Sequence, residues 1–343
     1  MPEQQSHPEV REAVARLCAD YPDEYWREKD RDKAYPGEFV QALTDAGYLS
    51  VLIPEQYQGA GMDLAAACAV LEEIQRSGAN GAACHAQMYI MGTLLRHGSD
   101  AQKQKYLPDI ASGALRLQAF GVTEPSSGTD TTRIKTRAHR DGDDYIVSGQ
   151  KVFISRVEYS DLLLLLVRTT ARDEVEKPTQ GMSVLLVDLR EAVGNGLTVR
   201  PLETMLNHAT TELFFDKLRV PVENLVGEEG KGFSYILDGM NAERILIAAE
   251  CIGDARWFID RATRYARDRE VFGRPIGQNQ GIQHPLADSW AKLEAARLLT
   301  YKAAWLYDNK EPCGGEANAA KYLAAEVGFE ACERAILTHG GMG

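Results

Sequence analysis

Between Leu115 and Gly227 the chain gives up helical spacing for short β-type runs, and this switch limits the fold more than any other feature. The runs stand around Ala138 and at Tyr145–Ser148, Lys151–Ser155, Asp161–Arg168, Met182–Asp188, Leu197–Leu202 and Thr211–Val220, with a turn at Asp141-Gly142-Asp143-Asp144. Short alternating runs parted by turn residues predict a compact antiparallel barrel or sandwich over 116–226, because no helix falls between them to build βαβ units. No G-x-G-x-x-G follows a strand, which disfavours a Rossmann dinucleotide domain.

Helical patterns flank this block. Residues 1–115 predict an N-terminal helical domain. Within it Glu38–Gly47 closes on its glycine, Leu64–Arg76 is alanine-rich, and Tyr89–Gly98 and Ala101–Ile110 continue the spacing. Pro108 is read as a helix end. Residues 227–343 predict an up-down helical bundle, with helices over Phe233–Val271, Ile282–Asp308 and Glu316–Thr338. The Gly227–Gly232 stretch has no Ser or Thr after Lys231, so it reads as a turn and not as a phosphate loop. Three apolar-striped helices want a fourth. The expectation is therefore an α+β multidomain chain whose bundle, as given, is incomplete after Gly343.

At 343 residues the chain exceeds the size at which single cores stop growing, about 250–300 residues. The formal charge of −12 argues against a nucleic-acid partner, which wants a basic face. Six cysteines are scattered without C-x-x-C or metal spacing, which points to a reducing, cytoplasmic setting. No signal or transit pattern opens the chain, and the longest apolar run, Leu162–Val167, is too short to span a bilayer.

Phe120–Asp130 reads F-G-V-T-E-P-S-S-G-T-D, apolar at first and then dense in hydroxyls and turn residues. Taken alone it is either an ordinary hydroxyl-rich loop or a seat for a planar ligand with polar edges. Together with Gly149-Gln150-Lys151-Val152-Phe153-Ile154-Ser155 it resembles the flavin-binding signature of the acyl-CoA dehydrogenase family, V-T-E-P-x-x-G-S/T-D followed by G-Q-K-x-W/F-I-S/T. Arg269-Glu270-Val271-Phe272-Gly273 with Gln278-Asn279-Gln280 resembles the family's R-x-x-F-G…Q segment, and His339-Gly340-Gly341-Met342-Gly343 its H-G-G-x-G turn. The helical, β, helical order agrees from about residue 35 onward.

The resemblance implies FAD as cofactor. Phe120, Gly121, Val122, Thr123, Thr129, Phe153, Ile154 and Ser155 would hold the isoalloxazine. Arg269, Phe272, Gln280, Gly340 and Gly341 would reach the FAD of a neighbouring subunit in a homotetramer or homodimer, Arg269 meeting the pyrophosphate. Without its motif Arg269 reads as a surface ion-pair residue. Leu337 stands where a glutamine touching the adenylate part is common.

Removing a proton α to a thioester needs a carboxylate with a raised pKa in a dry pocket. Glu243 shares a helix face with Met240, Leu246 and Ile247, so it is either desolvated for a purpose or snorkelling at a helix end. The resemblance makes it the catalytic base, as in the branch that carries its base in an E-R-L/I-L/V helix. Most members place that Glu further on, beyond Gly343. Asn241, Arg244 and Thr129 would line the acyl-CoA site. Glu124 is read as structural, and the isolated His85, His97, His208 and His339 receive neither metal nor catalytic roles. The implied reaction is α,β-dehydrogenation of an acyl-CoA to a trans-2-enoyl-CoA, with electrons passed to an electron-transfer flavoprotein. The rivals are an acyl-CoA oxidase, a desulfinase, a nitroalkane-type oxidase or a silent scaffold.

Overall fold

The computed structural model describes residues 7–343; the first six positions of the N-terminal helical stretch lie outside the described residues. The helices are α1 (Pro8–Ala19), α2 (Asp23–Arg31), α3 (Gly37–Asp45), α4 (Leu64–Arg76), α5 (Ala82–His97), α6 (Asp100–Ser112), the single turn α7 (Leu189–Ala192), α8 (Gly232–Asp268), α9 (Gln280–Asp308) and α10 (Gly314–His339). The strands are β1 (Ala119–Gly121), β2 (Arg137–Asp141), β3 (Asp144–Ser155), β4 (Leu162–Arg168), β5 (Met182–Asp188), β6 (Leu197–Pro201), β7 (Thr210–Pro221), β8 (Leu225–Val226), β9 (Glu270–Val271) and β10 (Arg274–Pro275). Two compact units emerge, one of the chain up to Glu28 with Met62–His85 and Asn241–Gly343, the other of Lys29–Gly61 and Ala86–Met240. Among the described residues no helix is long and apolar enough to cross a membrane.

The second unit is built on one sheet in the order β6-β7-β3-β2-β4-β5-β8, with β1 also on β4. The sheet is mixed, a correction to the wholly antiparallel expectation: β1 runs parallel to β4, and Arg137 of β2 pairs in parallel with Arg168. The β2–β3 hairpin intervenes between β1 and β4, so these two meet by a crossover and not by a tight turn. Leu162–Val167 lacks alternation because both of its faces are covered. Leu162, Leu164 and Leu166 join a core with Leu94, Leu107 and Ile110, while Leu163, Leu165 and Val167 join one with Val147, Leu213 and Phe215.

The two runs read at Tyr145–Ser148 and Lys151–Ser155 are one strand. It survives by register shifts between Val147 and Gly149 and again between Lys151 and Ile154, since a bulge bends a strand without ending it. Gly149 is required there: its φ is 149°, and a Cβ would lie 2.6 Å from the Thr136 backbone.

Pro108 does not end its helix, contrary to expectation; α6 continues to Ser112 and stops on Gly113 at φ 79°. The carbonyl that the proline leaves unbonded belongs to exposed Gln104, a position at which solvent can satisfy a helix carbonyl that lacks its N–H. α5 begins seven residues before the expected Tyr89, with the Asn80 side chain accepting from Ala82 N at 2.9 Å.

In the first unit α8, α9 and α10 interlock through small residues, with Ala248, Ile252 and Ala255 against Leu293, Ala296, Ala320 and Ala324. α4 closes on α8 at Gly253, where a Cβ would lie 2.3 Å from Glu72 O. The Asp308 carboxylate accepts from Leu64 N at 2.8 Å and Ala65 N at 3.1 Å, tying the end of α9 to the first turn of α4. Glu72 accepts from Arg11 at 2.9 Å and from Tyr301 at 2.6 Å, which docks α1 on the same core.

Candidate functional site

Leaving β1, the chain passes Val122 and Thr123 and turns at Glu124–Ser127, whose backbone N–H and C=O groups exchange two 3.0 Å hydrogen bonds. Thr123 O accepts from Val152 N at 3.0 Å, so the turn is stitched to β3. Lys151, fully buried, donates from Nζ to Val122 O and to Glu124 Oε1, both at 2.9 Å. Glu124 also accepts from Lys135 N at 2.6 Å and Thr136 N at 2.9 Å. Burial opposes its charge, but Lys151 and these backbone donors outweigh that and hold the carboxyl below its usual range. Burial likewise pulls Lys151 down, with Glu124 opposing. Glu124 is therefore an anchor, as read from the sequence.

This anchorage presents a surface. Phe153 sits in the second bulge of β3 at φ 59° and is 66% exposed. A phenylalanine at positive φ is strained, and such strain gathers at ligand clamps. Beside it stand half-buried Val122, Thr123 and Ser155, with Phe120 partly buried against the core. An aromatic face with hydroxyls and backbone groups next to it fits an isoalloxazine, whose ring is apolar and whose edge is polar. The Ile154 side chain is in the core, its carbonyl accepts from Thr211 Oγ1 at 2.8 Å and its backbone pairs with Thr211 of β7, so it offers no side-chain group to the surface. Thr129 is exposed two residues beyond the turn.

In the other unit, Asn241, Glu243 and Arg244 occupy one turn of α8. Glu243 is half-buried beside buried Leu246, and among the described residues it makes no hydrogen bond or ion pair. Burial pushes its carboxyl above the usual range, opposed by the charges of His85, Arg244 and Lys321. His85 Nδ1 lies 3.3 Å from Glu250 Oε2. Sequence reading set His85 aside as isolated and passed over Glu250. The available signal was the seven-residue step from Glu243, which places both carboxylates on one helix face.

One turn further, burial and the charge of Glu250 push Asp254 up to about 7. A carboxyl raised in the folded state costs nothing below its unfolded pKa and destabilises increasingly as pH rises towards the folded value. Asp254→Asn is expected to leave the melting temperature unchanged near pH 4 and to raise it by several degrees at pH 8, on the order of 2 kcal/mol. Thermal melts at the two pH values test this.

Arg269 and Phe272 lie at the β9–β10 hairpin, where Phe272 is fully exposed, and Gln280 opens α9. Leu337 is 68% exposed near the end of α10, with Gly340 and Gly341 after it. The Tyr265 ring stacks on His339 at 4.3 Å, bringing the end of α8 and the glycine turn to one end of the bundle. A groove of about 570 Å³ lies beside it among Ile259, Pro275, Ile282, Leu286 and Trp290. The residues read as flavin-binding thus divide: Phe120–Thr123, Phe153 and Ser155 are gathered on the sheet, and the Arg269 and Gly340 groups at the bundle end of the other unit. No group of His, Cys, Asp and Glu suited to a metal occurs among the described residues.

Comparison with known proteins gives matches along most of the chain. Residues 4–114 match the acyl-CoA dehydrogenase N-terminal domain, 119–218 the middle domain and 230–343 the C-terminal domain. Acyl-CoA dehydrogenase FadE12 of Mycobacterium tuberculosis is 36% identical over 337 residues, 97% of this chain and 86% of that protein. The glutaryl-coenzyme A dehydrogenase glutaryl-CoA complex superposes with a TM-score of 0.92 at 31% identity, over 100% of this chain and 88% of the other. A chain from the structure of the electron transferring flavoprotein of Acidaminococcus fermentans also gives 0.92, at 30% identity, over 99% and 90% of the two chains.

Proposed function

This chain belongs to the acyl-CoA dehydrogenase family and is an FAD-dependent oxidoreductase acting on acyl-CoA, and from that premise we propose α,β-dehydrogenation with Glu243 as the base. The observation that carries the proposal is Glu243 itself, a carboxylate without hydrogen bond or ion pair among the described residues, raised by burial on an apolar helix face. A base that must take a proton from carbon gains from that desolvation.

FAD, when bound, supplies the acceptor for the hydride that leaves the β-carbon. Val122, Thr123 and Ser155 hold its polar edge, Phe153 offers the stacking face, and Arg269 and the Gly340-Gly341 turn serve the cofactor's phosphate end in an oligomer. Glu243 takes the α-proton onto its carboxylate, and Asn241 and Arg244 meet the acyl-CoA. The product is a trans-2-enoyl-CoA. The likeness to the Acidaminococcus chain supports an electron-transfer flavoprotein as the partner that receives the electrons.

Anaerobic mixing of the FAD-loaded protein with saturated acyl-CoAs of graded length and branching tests the proposal. Bleaching of the flavin band with at least one of them is expected. No bleaching across the panel overturns the reaction, and oxygen consumption without an added acceptor replaces the dehydrogenase with an oxidase.

A further inference from the structure

A cleft of about 540 Å³ opens between the start of α3, the segment before β1 and the short turn Val157–Tyr159 after β3. All of it belongs to the second unit, and it holds none of the residues assigned to FAD or acyl-CoA. Its wall is flat and aromatic. The rings of Tyr35 and Tyr159 stack at 4.0 Å with 8° between their planes, and Tyr159 is still 39% exposed. A parallel pair that leaves this much ring in solvent offers apolar area to a further flat group.

Next to the wall stands a cation that the fold positions without neutralising. Half-buried Arg116 donates from Nη1 to Thr44 Oγ1 at 2.9 Å and from Nη2 to Gln41 Oε1 at 3.1 Å, both neutral acceptors. Among the described residues its guanidinium makes no ion pair. Two carboxylates close by are engaged otherwise: Asp161 accepts from the Arg116 backbone N at 2.7 Å, and Asp45 from the Gln41 amide at 2.7 Å. Behind the wall, Gln118 is 1% exposed and accepts from the Tyr35 hydroxyl at 3.1 Å. Its amide nitrogen has no hydrogen-bond partner among the described residues, and turning the amide over would only exchange which end is unpaired. A buried amide in that state calls for an acceptor from outside the chain, a water or a ligand oxygen.

We propose that this cleft binds a planar aromatic carboxylate, its ring against the Tyr35–Tyr159 wall and its carboxylate on the remaining donors of Arg116. Guanidinium and carboxylate match as two forks. A guanidinium already held by two neutral acceptors loses little freedom when the anion arrives. An inorganic anion would leave the aromatic wall bare and most of the space unfilled, since the cleft has the size of a small-molecule site, about 300–1,000 Å³. The inference is independent of Glu243 and of the reaction.

Calorimetric titration of the FAD-loaded protein with naphthoate, cyclohexanecarboxylate and inorganic phosphate tests it. Naphthoate is expected to bind with a Kd of about 1 mM or tighter. Cyclohexanecarboxylate carries the same charge without a flat face and is expected to bind about threefold more weakly or worse, with phosphate weaker still. Arg116→Gln is expected to cost naphthoate about tenfold or more. Tyr159→Leu is expected to bring naphthoate down to the affinity of cyclohexanecarboxylate while the charge contact survives. The flavin spectrum and the melting temperature without ligand report that each variant is folded. Should Arg116→Gln fail that check, Tyr159→Leu, at an exposed ring, decides alone. Phosphate binding as tightly as naphthoate overturns the aromatic class of ligand. The site itself is overturned by naphthoate affinity unmoved in the folded variants, or by no binding up to about 10 mM.

Discussion

Glu243→Gln is expected to slow flavin reduction by a saturated acyl-CoA roughly 10²–10⁴-fold, the range that a positioned base contributes. Glutamine keeps the shape and cannot accept the proton, so the loss falls on the chemical step and not on binding of FAD or acyl-CoA. Anaerobic stopped-flow separates the two, because the dissociation constant of the acyl-CoA should stay near the parent value while the limiting rate collapses. The parent should also lose rate as pH falls. Its carboxyl is raised by burial, and only the ionised form is competent, so the acid limb lies above the ordinary carboxylate range. That limb should be absent from the residual rate of Glu243→Gln. A variant within tenfold of the parent would place the base elsewhere.

The sequence made some of this legible and hid the rest for identifiable reasons. The hydroxyl-rich turn after β1 and the Gly149–Ser155 run were found because their residue types are demanded by their conformations. Glycine stands where φ is 149° and the Thr136 backbone presses close, and the turn needs Pro125 and polar partners. Leu64–Arg76 was read to its ends, with Asp63 accepting from Ala66 N to start it. Pro108 misled because local steric preference yields when the freed carbonyl faces water. The β1–β4 pairing was illegible, since nothing in a three-residue strand announces a partner some forty residues on. His85 was dismissed because a ring's meaning depends on what packs against it. Its partner Glu250 lies on another helix, and a one-dimensional pattern carries no record of that contact.

The stitching of the flavin turn carries the largest expected stability effect. Lys151→Met fills much the same volume but leaves Glu124 charged, 4% exposed and without its ammonium. Breaking a buried pair from one side typically costs about 3–5 kcal/mol, and urea unfolding at pH 7 should show a loss of that order. In the parent, Glu124 is held below its usual range, so its contribution is present above the unfolded pKa and is lost as pH falls through the lower, folded value. In the variant the sign reverses: the unpaired carboxyl is raised, and its penalty is relieved as pH falls through that raised value. The gap between the two proteins should therefore narrow from pH 7 towards pH 4. Adding Glu124→Gln should recover part of the loss at pH 7, because it removes the buried unpaired charge; the recovery is partial, since Lys135 N and Thr136 N donate to different carboxylate oxygens and the amide keeps only one acceptor. FAD affinity should separate the two effects. Both variants lose the Lys151 bond to Val122 O that sets the turn's height above β3, so the double variant should regain stability before it regains cofactor.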